Sequence, residues 1–140
     1  MTFILRRSIL VSIALSLSAL TVYTSILSQR KNQSKVAVSM IALIANPDAF
    51  KGRRVRAVGY VELGADKNVL YVNEADYKAQ ITKNGLALKL TMVTDASSQK
   101  KYNKNYVLLE GTFDPNEGDL GLCSGSLLDV DRMAVWKGYK

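Results

Sequence analysis

Five short segments between residues 54 and 130 read as β-strands, and turn-rich loops separate them. The clearest is 86–93, "LALKLTMV". It puts Leu86, Leu88, Leu90 and Met92 on one face and Ala87, Lys89, Thr91 and Val93 on the other. A period of two marks a half-buried strand. The remaining segments cover 54–62, 69–73, 106–113 and a stretch that starts near Leu122, runs through "CSGSLLDV" and is interrupted at Gly125. The loops between them read "LGADKN", "ADYKAQITKNG", "TDASSQKKYNKN" and "DPNEGDLG". Five strands in this length are few for two stacked sheets and suit a small closed barrel. In such a barrel the first strand bends to pair with neighbours on both sides, and Gly59 stands where the bend belongs. Val55, Ala57 and Val61 then face inward with Gly59, while Arg54, Arg56, Val58, Tyr60 and Glu62 face outward.

Ahead of the strands, Val36, Met40, Ile41, Leu43 and Ile44 fall near helical spacing, with Ser34 or Ser39 as the cap. Asn46-Pro47 ends this short helix, because a residue before proline avoids the α region. At the other end, "DRMAVW" is expected to pack against the barrel, with Trp136 as a plug. The domain organisation is thus a leader and tether over 1–35 and a barrel domain over 36–140.

Residues 8–28 carry no charge and suit a helix in lipid. At 1.5 Å per residue the run reaches about 30 Å, the thickness of a hydrocarbon core. It is longer than the apolar part of a signal peptide and lacks a small-x-small site at its end. It reads as an uncleaved transmembrane signal anchor, the alternative being a cleaved signal peptide and export. Arg6 and Arg7 before the run, against Arg30, Lys31 and Lys35 after it, nearly tie the positive-inside count. Paired arginines ahead of the first apolar run are the common secretory pattern. The expected location is therefore the inner membrane, single-pass, with the domain on the periplasmic side.

The formal charge of +7 would point to a polyanion partner if it belonged to the domain. Arg6, Arg7, Arg30, Lys31 and Lys35 stand in 1–35 with no acid. The other 14 of the 19 bases face all 12 acids, a surplus of two. The folded part is close to balanced, which weakens the nucleic-acid reading. With 48% hydrophobic residues the chain can afford a core. Cys123 is the single cysteine, so no intrachain disulfide forms, and a buried thiol is expected. The chain has no histidine, the commonest general base and metal ligand. Glu74 with Asp76, and Glu117 with Asp119, fit solvated turns rather than a calcium loop. Ser124 and Ser126 have no base assigned to them, and no glycine-rich phosphate loop is present. The expectation is a non-enzymatic protein with no cofactor and no metal.

Taken together, "LIANPDAFKGRRVRAVGYV", "LYVNEADY", "ITKNGLALKL" and "YVLLEGTFD…GLCSGSLLDVDRM" resemble uncharacterised bacterial proteins with an OB-fold (oligonucleotide/oligosaccharide-binding-like) domain, often exported or membrane-tethered. The resemblance covers roughly residues 40–136. It implies a mainly β, five-stranded OB-like barrel with a leading helix, and it transfers no functional residues. Barrels of this type bind across their second and third strands and the adjoining loops. Single-stranded nucleic acid needs exposed aromatics and a basic groove. The candidates are Tyr60, Tyr71 and Tyr77 for stacking, with Arg54, Arg56 and Lys89 for charge. The stretch "KGRRVRAVGYVEL" is read first as a charged barrel exterior and second as a ligand-contacting strip. The expected function is a membrane-tethered binding module that docks a protein partner at the cell envelope. The alternative is a binder of single-stranded nucleic acid or a small saccharide.

Overall fold

The computed structural model of the chain describes residues 34–91, 95–118 and 120–138. Strand β1 (Val36–Ala37) leads into helix α1 (Met40–Ala45). Strands β2 (Arg54–Leu63) and β3 (Asn68–Tyr71) follow, then helix α2 (Glu74–Lys78) and strand β4 (Gly85–Leu90). Helix α3 (Ala96–Tyr102) precedes the long strands β5 (Asn105–Asp114) and β6 (Ser126–Val135).

Five of these strands close on themselves. β2 pairs antiparallel with β3, and β3 with β4. β4 runs parallel to β6, β6 antiparallel to β5, and β5 returns antiparallel to β2. The result is a closed five-stranded, mainly β barrel, and its strand order is compatible with an OB-like fold. β1 adds a short parallel rung outside the ring, with Val36 opposite Val55 and Ala37 opposite Arg56.

β2 serves two neighbours, as a closed barrel requires. Arg54 to Val61 face β5, and Tyr60 to Leu63 face β3. The handover occurs beside Gly59. A Cβ there would stand 2.5 Å from the Tyr71 carbonyl oxygen and 2.8 Å from Leu70 Cγ. Only a residue without a side chain lets β3 approach so closely. The alternation expected along β2 holds: Val55, Ala57 and Val61 are buried inside with Leu70, Leu86, Leu88, Val107, Leu109, Phe113, Leu127 and Val130. Met40 and Leu43 of α1 add to the same core.

Several boundaries differ from the sequence expectation. Val36 and Ala37 are strand rather than helix, and α1 starts only after Ser39, whose Oγ accepts a hydrogen bond from the Ala42 N–H at 3.1 Å. The last strand begins at Ser126, beyond Gly125, and takes in the "DRMAV" expected to pack as a tail. Its register partner β5 extends far enough to pair with it through Val135. Two segments read as loops contain α2 and α3, because Asn73 and Asp95 cap their first turns. The membrane span expected at 8–28 lies outside the described residues. Among the described residues no helix is long and apolar enough to cross a membrane.

Candidate functional site

Strand periodicity and register together build one continuous outer wall from β2, β5 and β6. Outward residues of β2 lie opposite outward residues of β5, and these opposite β6, so side chains line up in rows across the strands. One row is Arg56, Glu110 and Arg132; the next is Val58, Leu108 and Ala134. Tyr60 and Tyr106 form the next pair along, and the Trp136 N–H donates to the Tyr106 carbonyl at 2.8 Å. The wall is therefore charged at one level, apolar at the next and aromatic at the third.

The charged level centres on Glu110, whose carboxylate is 1% exposed. Its Oε1 accepts from Arg56 Nε at 2.9 Å and from Arg132 Nη1 at 3.1 Å, and its Oε2 meets Lys35 Nζ at 2.6 Å. Burial acts to raise the Glu110 pKa, but the bonds and charges of Lys35 and Arg56 outweigh it and hold the group below the ordinary carboxylate value. Three cations around one carboxylate leave two formal positive charges over. The cationic side chains remain 39–56% exposed, so that surplus faces solvent.

The apolar level forms the floor of an open groove of about 670 Å³. Val58, Leu108, Val72 and Trp136 line it together with Ile41 of α1, and Arg56 joins it to the charged level. Ile41 is 66% exposed despite its size. A depression of this volume, mostly apolar with a polar group at one side, is the usual shape of a binding site.

Of the six residues singled out in sequence, Arg54 and Arg56 do share this wall, and both are already paired. Arg54 bonds Asp131, and Arg56 bonds Glu110. Tyr60 shares the wall too, but its ring packs between Tyr77 and Tyr106, each 5.3 Å away between centroids. Tyr71 lies opposite Tyr60 in the register and is fully buried, so it offers no ring face for stacking. Its hydroxyl donates to Glu62 at 3.1 Å and accepts from Lys67 at 3.3 Å. Burial is the main cause that raises the pKa of both tyrosines: the charge of Glu74 adds to it at Tyr60, while at Tyr71 the bond from Lys67 opposes it and the bond to Glu62 adds to it. Lys89 is exposed on β4 and stands apart, beside a separate depression of about 470 Å³ edged by Asn116, Glu117 and Leu120.

The outer surface of β3 and β4 is where OB-type barrels usually take ligands. Here Val69, Tyr71 and Ala87 are covered, and Tyr77 of α2 and the buried Cys123 pack with them. That face is occupied by the protein itself. Among the described residues no group of three or more metal-ligating side chains occurs. No protein-family model matches the chain, and no curated protein matches it at significant similarity.

Sequence reasoning missed Glu110, Arg132, Lys35, Leu108 and Trp136 as members of the candidate site. Glu110 carries a faint signal, a lone charge inside the apolar run "YVLLEGTF". Arg132 and Trp136 have none, because the last strand was expected to end before Arg132. The arrangement supplies shape, apolar surface and positive charge in one place, which is equipment for binding.

Proposed function

We propose that this chain is a non-enzymatic OB-like binding module that docks a segment of a protein partner in the groove over Val58 and Leu108. The single observation that carries the reading is the groove itself: exposed apolar surface beside an unbalanced cationic row, left open among the described residues. Exposed apolar surface rimmed by polar groups is characteristic of interaction sites. The covered β3–β4 surface speaks against the alternative of nucleic acid or saccharide bound in the usual OB manner. We further propose that residues 8–28 anchor the module in the inner membrane with the barrel on the periplasmic side, the alternative being export after cleavage. The uncharged run and its flanking arginines support this reading.

The docking test places a photo-crosslinking residue at Leu108 of the full chain in cells, with Lys89 as the control position. The expected result is a discrete protein adduct at Leu108 that Ile41→Asp removes and Lys89 does not give. An adduct equal at both positions, or none, overturns the docking site. Alkaline phosphatase fused after Lys140 is expected to be active in a membrane fraction; an inactive fusion overturns the placement.

A further inference from the structure

Resting on that docking reading, we infer that the partner segment is extended and acidic, with a carboxylate two residues from an apolar anchor, and that Arg132 and Lys35 hold the carboxylate. The argument starts from spacing. Arg56 and Val58 are two residues apart on β2, as are Glu110 and Leu108 on β5, so the charged row lies about 7 Å from the apolar row. Side chains on one face of an extended peptide are separated by the same about 7 Å. A segment of pattern apolar-x-acid therefore sets its apolar side chain over Val58 and Leu108 while its acid meets the charged row.

The charge balance makes that row receptive. Glu110 is already neutralised by Arg56 through two nitrogens, at 2.9 and 2.8 Å. Arg132 gives it one bond of 3.1 Å and keeps 56% of its side chain exposed. Lys35 keeps 39% exposed. Both have donors to spare for an incoming carboxylate, and Glu110 holds them in place beforehand. A polynucleotide would need positive charge repeated along its path. The neighbouring cation, Arg54, is instead spent on Asp131, and the next row is apolar.

The test uses the full chain in neutral detergent micelles and random peptides displayed on phage. Recovered sequences are synthesised and titrated by the emission of Trp136, the only tryptophan, which lines the groove. The expected result is a consensus with Asp or Glu two residues from an aliphatic or aromatic side chain. Two variants separate the ideas. Ile41→Asp alters an exposed groove residue and is expected to abolish binding of every selected peptide. The double variant Lys35→Gln, Arg132→Gln keeps the Arg56–Glu110 pair. It is expected to weaken the acidic peptide about tenfold and leave its amide counterpart unchanged. Peptides lost in Ile41→Asp but indifferent to the double variant overturn the carboxylate inference and leave the docking reading standing. Absence of any peptide sensitive to Ile41→Asp overturns both. Oligo-dT binding that salt and the double variant abolish would assign the cations to nucleic acid. A dimer dissolved by Ile41→Asp would assign the face to a second copy. Either result overturns the inference.

Discussion

Glu110 shows how a single side chain sets the character of a surface. Its carboxylate is buried by the cations that need it, so replacing it strands positive charge on the wall. Glu110→Gln is expected to cost about 2 kcal/mol, read as a lower urea midpoint; the loss is limited because the cations can turn into water. The sign of the pH effect follows from the lowered pKa. The stabilising contribution is complete above the unfolded carboxylate value of about 4.3 and is lost as pH falls through the folded value. The wild-type chain should therefore lose stability more steeply than Glu110→Gln below about pH 4.5, a comparison made by denaturation at stepped pH. Gly59 is the other decisive residue. In Gly59→Ala the new methyl meets backbone, the Tyr71 oxygen, and cannot be relieved by a rotamer change. A loss of about 2–3 kcal/mol is expected by the same measurement. Gly59 was readable in the sequence because a glycine inside an alternating strand has few other reasons to be there. The charged cluster was not readable, because Lys35, Arg56, Glu110 and Arg132 are scattered along the chain and meet only through register.

At the scale of elements, the short helices depend on their caps. α1 has six residues, too few to be stable alone, and presents Ile41 to the groove. Ser39→Ala removes its side-chain cap and is expected to cost about 1 kcal/mol. Hydrogen exchange should speed up within Met40–Ala45 and stay slow in β2 and β5. Exchange that accelerates equally in all three would show that the cap acts globally. α2 carries Tyr77 onto Tyr60 and Tyr71 and is tied down through Asp76, which accepts from Asn73 at 2.8 Å and Asn84 at 3.0 Å. This helix closes the surface that OB-type barrels usually use. Its tyrosine is a candidate for stacking on a ligand in the nucleic-acid reading, and its ring packs here on Tyr60 and Tyr71. The sequence "NEADYK" is polar enough to read as a loop, and its cap is recognisable only once the strand before it is known to stop at Tyr71.

For the whole molecule, closure is the controlling event. β2 pairs with β5 between residues distant in sequence, such as Arg56 and Glu110. Long-range pairing of this kind gives folding in milliseconds to seconds rather than microseconds, on the order seen for small β domains. One cooperative unfolding transition is expected, with Trp136 emission and far-ultraviolet circular dichroism tracing the same curve in urea. Separated curves would mean that the groove wall melts independently of the barrel.

Local pattern alone determined the five barrel strands in outline, the inner face of β2 and the need for Gly59 within it. Each depends on neighbours along the chain and on the rule that alternate side chains point to opposite faces. Tertiary structure decided where the ends of the barrel meet, which surface α2 would cover and which cations would gather on Glu110. Those outcomes depend on register between strands that share no local sequence, and a shift of one residue would send every one of those side chains to the other face.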